Sequence, residues 1–295
     1  MESFTIEESR EIQKIRVVVV SFGSSGNHVI DTMNFKENNG IEFIRGDEDT
    51  DHIKNRLQGA DIVFITGGLG GQTGHIVAPL IAKIAKNADA LTIGIVTKPF
   101  NFEGKQRLKL AEETLKELKN VSDSIVVIPN DKFLSIINPK MGIAEYLKIV
   151  DSFLARTING IAGVILPSGD NDINLDFVDL KSIMEHQGVA LVGIGESQGE
   201  KASYEAINNA IEFANVDGIP IKNAARILVH FRMHPEFYFI KLSEALDVIH
   251  GSVDMSTDII FGTTTDDTLP IDYIRVTLVS TGFEKRTTIA ANNLQ

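Results

Sequence analysis

The sequence predicts an α/β fold in which a Rossmann-like domain with a parallel sheet is joined by one long central helix to a smaller α+β domain. Short runs of aliphatic and β-branched residues alternate with apolar residues at helical spacing up to about residue 130, which indicates repeated strand–helix units. A longer apolar stripe then predicts one helix over about 141–161 and consists of Ile143, Leu147, Val150, Leu154 and Ile158. Further strands and helices follow it, so we expect two domains.

The composition narrows the possible function classes. The net charge of -12 argues against nucleic-acid binding, because a phosphate backbone needs a basic surface. The 295 residues include no cysteine, which excludes disulfides and thiolate metal sites. No run approaches the ~20 apolar residues of a membrane span. We therefore expect a cytoplasmic protein that neither binds nucleic acid nor inserts into a membrane.

The first part of the chain is predicted to alternate strictly between strands and helices. We expect strands at 16–20, 41–44, 62–65, 90–96 and 124–128, and helices from about Val29, over 53–57, from Ala78 and over 103–119. Parallel sheets of this kind bind ligands at the carboxyl ends of their strands. The glycine-containing turns after the first and third strands both belong to that edge.

The stretch from Asp61 to Pro79 is the most informative part of the chain. A buried strand breaks into a glycine-rich turn, and a helix then begins; the turn contains Gly67, Gly68, Gly70, Gly71 and Gly74. Such a turn points free N–H groups and the positive end of the helix dipole at one spot, as in phosphate-binding loops. The alternative is a tight strand–helix turn without a ligand, since glycines alone are a weak signal.

Beyond the long helix, an acidic loop leads into a helix that includes Lys181 and Met184. Strands are predicted at 190–194, 225–231, 258–262 and 273–280 and helices at 200–214 and 239–249, with a turn at Gly193-Ile194-Gly195 before Glu196. We divide the chain into a polar extension at 1–14, a first domain at 15–140, the central helix and acidic loop at 141–179, an α+β domain at 180–284 and a polar tail at 285–295.

Five segments, in order along the chain, resemble motifs of the tubulin/FtsZ family, and of bacterial FtsZ in particular. Gly70-Gly71-Gln72-Thr73-Gly74 is similar to the family's signature loop, and the other segments lie at 96–104, 127–131, 173–179 and 274–283. The resemblance spans roughly residues 15–283. It implies a first domain that binds GTP or GDP together with Mg²⁺. It also implies head-to-tail polymerisation with itself or with authentic FtsZ subunits in bacterial cell division.

The resemblance also implies roles for individual residues. Those on the nucleotide are Gly23, Asn27, Gly70, Gly71, Thr73 and Gly74 at the phosphates, Glu103 and Arg107 at the ribose, and Asn130 and Asp151 at the guanine. Leu147 stands where the family has a stacking aromatic residue. In the acidic loop, Asn174, Asp176 and Asp179 would enter the next subunit's pocket and polarise the attacking water. Alternatively, Asp176 or Asp179 caps the following helix. No metal site is predicted from side chains.

Several departures from the family pattern affect the phosphate side. Phe22 replaces a glycine in the first phosphate loop, where its benzyl group would crowd a ligand. Larger side chains enter the signature loop at Gln72, His75 and Ile76. The acidic segment Asp47-Glu48-Asp49 would repel a triphosphate, and a family segment is missing between it and Ala60.

These departures support an alternative function. A pseudo-GTPase that binds nucleotide weakly or not at all could still present the acidic loop, and so bind or cap authentic FtsZ filaments. After Gly282-Phe283 we find no peptide of the kind that docks membrane adaptors in the family, so we expect no tethering by that route.

Overall fold

The computed structural model describes residues 15–34, 40–135, 138, 140–166, 172–173, 175–185, 188–215 and 220–283. The predicted extension at 1–14 and the predicted tail at 285–295 lie outside these residues. In the described part of the chain, no helix combines the length and the apolar content that crossing a membrane requires.

Nine strands form one sheet in the order β2-β1-β3-β4-β5-β6-β9-β7-β8. The strands are β1 Val17–Ser21, β2 Ile41–Arg45, β3 Ile62–Gly68, β4 Leu91–Lys98, β5 Ser124–Pro129, β6 Val189–Gln198, β7 Arg226–Met233, β8 Asp258–Thr265 and β9 Tyr273–Thr281. The first six run parallel to one another, whereas β9 is antiparallel to both β6 and β7. Only two residue pairs join β5 to β6, so the parallel half and the mixed half meet at a narrow seam.

The first six helices cover both faces of the parallel half, and the last two pack against the mixed half; the described residues form eight α-helices in all. They are α1 Gly23–Asn34, α2 Thr50–Leu57, α3 Gln72–Asn87, α4 Lys105–Val121, α5 Ile143–Ala162, α6 Phe177–Met184, α7 Ala202–Ala214 and α8 Phe239–Ser252, with short 3₁₀ segments at Asn101–Glu103, Asn130–Ser135 and Ile221–Asn223. One core packs α1, α5 and α6 against the sheet, and a second core packs α2, α3 and α4 against the opposite face. This explains why strands such as β1 are apolar throughout, with Val17 to Val20 fully buried.

The long helix α5 lies between the two halves, as the apolar stripe predicts. Leu154 and Ile158 belong to the same core cluster as Ile93 of β4 and Val192 of β6. Its 20 residues span about 30 Å. At this length the helix can reach from the carboxyl ends of the parallel strands to their amino ends.

The prediction of a turn at Gly193-Ile194-Gly195 is wrong, because both glycines lie inside β6. A Cβ atom on Gly193 would stand 1.8 Å from the carbonyl oxygen of Ala210, and one on Gly195 would stand 1.9 Å from that of Ala206. These glycines let α7 lie directly on the strand. They serve close helix–sheet packing rather than a change of chain direction.

Two helices begin earlier than the apolar spacing predicts. The pattern places the third helix from Ala78, but α3 begins at Gln72, directly after Gly71. In the same way α1 begins at Gly23, within the segment that the sequence indicates as a turn. Both glycine-rich segments therefore contribute the first turn of a helix at the carboxyl edge of the sheet.

Candidate functional site

A cavity of about 350 Å³ opens at the carboxyl ends of the parallel strands. The residues that line it come from the segments after β1, β3, β4 and β5 and from α5. They are Phe22, Gly23, Ser24, Ser25, Gly68, Leu69, Gly71, Thr73, Gly74, Thr97, Pro99, Phe100, Glu103, Arg107, Asn130, Leu147 and Val150. Seven of the ten predicted nucleotide residues are among them. Asn27, Gly70 and Asp151 lie just outside this wall.

Two helix N-termini converge on one end of the cavity. Gly23 to Ser25 form the first turn of α1, and Gly71, Thr73 and Gly74 form the start of α3. The first N–H groups of a helix have no partner within the helix, and the dipole makes this end positive. Together with the Thr73 hydroxyl, this end of the cavity suits an anion such as a phosphate.

Phe22 is one of the residues that line the cavity, and the expectation that it would crowd a ligand stays a prediction. The residue is 1% exposed and belongs to the core beneath the cavity. Its ring fills the space that side chains on Gly67 and Gly74 would occupy: a Cβ atom there would lie 2.8 Å and 2.9 Å from ring carbons. The ring packs against these two glycines, and the backbone N–H of Phe22 donates to the carbonyl of Thr66 at 2.9 Å.

The side chains substituted in the signature loop, unlike Phe22, do not line the cavity. His75 contacts Thr114 on α4, with 2.9 Å between Nδ1 and Oγ1, while Gln72 and Ile76 are exposed. Asp49 caps α2, since its carboxylate accepts from the N–H of Asp51 at 3.1 Å. As predicted, one short helix spans the gap between Asp49 and Ala60.

Polar groups line another part of the cavity wall. The Glu103 carboxylate accepts from the backbone N–H of Phe100 at 2.8 Å and pairs with the Arg107 guanidinium, so both side chains are held in place. The Tyr146 hydroxyl donates to the carbonyl of Asn130 at 2.8 Å. The side-chain Oδ1 of Asn130 is buried and has no hydrogen-bond partner among the residues that the structure describes. A ligand with an N–H group could donate a hydrogen bond to this oxygen.

Asp151 lies next to Ser25 of α1, behind the cavity wall, and is 6% exposed. Ser25 donates to its Oδ1 at 3.4 Å, and Nδ1 of His28 lies 3.7 Å from its Oδ2. Burial raises the pKa of Asp151 to about 6, although the nearby His28 and the hydrogen bond from Ser25 act to lower it. The carboxylate is therefore ionised only above about pH 6.

Two other predicted nucleotide residues, Asn27 and Gly70, make contacts that support the fold around the cavity. Asn27 accepts a hydrogen bond from the Ser21 hydroxyl at 2.6 Å, which joins α1 to the end of β1. Gly70 has a φ of 91°, a conformation that favours glycine, and packs against the backbone of Arg107. Sequence reasoning placed Ser25 in the first phosphate loop but missed His28 and Phe100 as neighbours of the site. Of these two, only Phe100 lies in a recognised motif, so only it could have been found.

The described end of the acidic loop, from Leu175 to Asp179, lies beyond the end of α5 that is remote from the cavity. Val150 lines the cavity, and the stretch of α5 from Val150 to Ala162 is about 18 Å long. Just after the C-terminal end of α5, the N–H of Leu175 donates to the carbonyl of Val164 at 3.0 Å. Asp176 caps α6, accepting from the N–H of Asp179 at 2.9 Å. Asn174, also predicted to be catalytic, lies outside the described residues.

Two family models match the chain in succession. Residues 44–138 match the GTPase domain of the tubulin/FtsZ family, and residues 188–284 match the C-terminal domain of the FtsZ family. The proteins named "Cell division protein FtsZ" from two strains of Helicobacter pylori are each 44% identical to it over 239 residues. This similarity covers 81% of the chain, which spans 62% of the length of those relatives.

Solved structures give the same result for the fold. An empty FtsZ dimer from M. jannaschii has a TM-score of 0.85 at 32% identity, over 94% of this chain and 90% of that one. A GDP-bound CetZ1 monomer from Haloferax volcanii has a TM-score of 0.70 at 15% identity, over 95% and 100% of the two chains. The second match, at its low identity, concerns the fold alone.

Proposed function

This chain belongs to the tubulin/FtsZ family, and we propose that it binds GTP and GDP in the cavity described above, polymerises head to tail and acts in bacterial cell division. One observation carries the proposal. The N-termini of α1 and α3 line the same cavity as the side chains of Glu103, Arg107 and Asn130. One end suits phosphates, and the other suits a sugar and a base.

The residues of the cavity divide the work of binding. Backbone N–H groups at Gly23 and Gly71 and the hydroxyl of Thr73 would hold the phosphates. The Glu103 carboxylate would accept from a ribose hydroxyl, and the unpartnered Oδ1 of Asn130 from a base N–H. Mg²⁺, bound with the nucleotide, would neutralise phosphate charge.

Hydrolysis in this proposal requires two subunits. The acidic loop lies at the opposite edge of the sheet from the cavity, so Asp176 and Asp179 cannot reach the cavity of their own chain. Stacking one chain on the next would bring the loop to the neighbour's phosphates, where a carboxylate can orient water. Exposed apolar side chains near both edges would be covered by such a contact, among them Phe102 (75% exposed) and Val178 (69%).

The capping bond distinguishes the two aspartates. Asp176 Oδ1 is committed to the N–H of Asp179, so Asp176 is needed for the start of α6. The Asp179 carboxylate makes no hydrogen bond to another described residue and is partly exposed. We therefore assign the water-orienting role chiefly to Asp179.

The test combines GDP binding by calorimetry with GTP turnover by phosphate release. We expect Asp179→Asn to bind GDP as the wild type does and to lose at least about tenfold in turnover, since general base catalysis contributes 10²–10⁴-fold. The control is Asp247→Asn, which changes an exposed aspartate on α8 and should behave as the wild type. Full turnover by Asp179→Asn would refute the role of the acidic loop.

The alternative is a pseudo-GTPase that binds or caps authentic FtsZ filaments. It rests on the departures from the family pattern on the phosphate side, beside an acidic loop that is kept. We prefer GTP binding because Gln72, His75 and Ile76, three of these departures, do not line the cavity. No detectable GDP binding at millimolar nucleotide would favour the alternative. In that case, adding the protein to an authentic FtsZ at equimolar ratio should shorten its polymers or change their turnover.

A further inference from the structure

We infer that His28 is a positioning residue for Asp151, and that it extends purine binding in the cavity to lower pH by favouring the ionised carboxylate. The inference rests on the proposed function, because it concerns the same cavity. It adds a residue on α1 that lies outside the motifs of the nucleotide site.

The carboxylate of Asp151 is held from one side by α1. Ser25 donates to Oδ1 at 3.4 Å, and His28, about one helical turn later, places Nδ1 3.7 Å from Oδ2. Ser25 and Val150 both line the cavity, so the carboxylate lies directly behind the wall at that point. Each oxygen is thus oriented by a different residue of α1.

A carboxylate that reads a guanine must be ionised, because it accepts from the ring N–H and the amino group. Burial raises the pKa of Asp151 to about 6 and so opposes this state near the lower end of the physiological range. An imidazole gains its proton between about pH 5 and pH 8. The charge of the neighbouring His28 ring acts to lower the pKa of Asp151 and so favours the ionised carboxylate.

No other described side chain replaces His28 in this role. Its charge is the only one that acts on the pKa of Asp151. Charged groups on the elements packed around α5 have other partners: Asp31 pairs with Arg45, Lys98 with Glu112, Arg107 with Glu103, and both Arg156 and Arg275 with Glu196. The effect is therefore expected to follow the His28 ring alone.

The test measures the dissociation constants of GDP and ADP between pH 5.5 and pH 8.0 for the wild type and His28→Gln. At pH 8.0 we expect GDP affinities within about twofold, and at pH 5.5 a loss of about tenfold for the variant, which corresponds to one pH unit in the titration of Asp151. ADP binding should be weak and change little. The control is His52→Gln on α2, whose histidine pairs with Glu48, and it should follow the wild type.

A merely structural role would weaken GDP binding by the same factor at every pH, and that result would overturn the inference. A second measurement follows the carboxyl ¹³C signal of Asp151 by NMR without nucleotide, where His28→Gln should raise the titration midpoint. GDP binding with identical titrations in both proteins would overturn this inference alone. A wild type that binds no GDP at any pH would instead overturn the proposed function, and with it the role of the pair in purine binding.

Discussion

At the scale of single residues, Asp151 links the site to the stability of the protein. Its pKa rises from an ordinary value of 3.8 to about 6 on folding, mainly through burial. The folded protein therefore holds this proton more tightly than the unfolded chain does. The resulting stabilisation is complete below pH 3.8 and is lost as the pH rises through 6, so that near pH 8 the buried charge costs about 2 to 3 kcal/mol.

We predict that Asp151→Asn, which removes this charge, stabilises the nucleotide-free protein at pH 8 by about 2 kcal/mol and has little effect at pH 4. Urea unfolding at the two pH values measures the difference. Asp247→Asn on α8 serves as the control and should change stability by less than about 0.5 kcal/mol at both. A variant that is no more stable than the wild type at pH 8 would contradict the prediction.

Other residues show what a sequence motif cannot predict. Phe22 stands at a family glycine, and from the local sequence its ring should crowd the phosphates. Its actual position depends on Gly67 and Gly74, which are distant in the sequence and leave the space that the ring fills. The contact between His28 and Asp151 was likewise beyond prediction, because it depends on how α1 packs on α5.

At the scale of the elements, the packing of α7 on β6 depends on the absence of two side chains. We predict that Gly193→Ala lowers the free energy of unfolding by about 3 kcal/mol, because its Cβ would meet the backbone oxygen of Ala210 at 1.8 Å and a backbone cannot step aside as a side chain can. Chemical denaturation of the variant measures the loss.

The matched control is Gly251→Ala near the end of α8, where an added Cβ would meet nothing within 4 Å. This change should be neutral or slightly stabilising, since alanine favours helix by about 1 kcal/mol over glycine. Equal stability of the two variants would show that α7 can move away from the sheet without cost.

The periodicity of the sequence predicted the strands and helices well because parallel strands buried on both faces read as plain apolar runs, as in Val17 to Val20. It located the start of α3 poorly, because Gln72, Thr73 and Gly74 precede the apolar stripe of that helix. The error matters for the site, since the unpaired N–H groups belong to this first turn.

At the scale of the whole molecule, α5 separates the cavity from the acidic loop, the two halves of the proposed GTPase site. The cavity lies beside Leu147 and Val150 at one end of the helix, and the acidic loop is anchored at Val164 beyond the other. The sequence motifs predicted the residues of each half, but their separation follows from the length and direction of α5 across the sheet. Neither half is therefore expected to hydrolyse GTP without a second chain.

This arrangement predicts complementation between two inactive variants. Asp179→Asn keeps the cavity but lacks the acidic residue. Gly71→Asp keeps the acidic loop but places a carboxylate among the N–H groups proposed to bind phosphate. A Cβ atom on Gly71 would meet nothing within 4 Å, so we expect this variant to fold. Each alone should hydrolyse GTP slowly. In an equimolar mixture that assembles at random, roughly a quarter of the junctions pair an intact cavity with an intact loop, so turnover should recover to about a quarter of the wild-type rate.

The control mixture replaces Gly71→Asp by the double variant Gly71→Asp/Asp179→Asn, in which no junction is complete and no recovery is expected. Sedimentation of both variants together shows that mixed filaments form, so that a lack of recovery can be interpreted. Two results would mean that the acidic loop does not act on the neighbour's nucleotide. One is a recovery of turnover in the control mixture, and the other is no recovery in the first mixture although its two variants sediment together. Recovery in the first mixture alone requires that the two halves of the proposed site meet between chains, as their positions at opposite edges of the sheet imply.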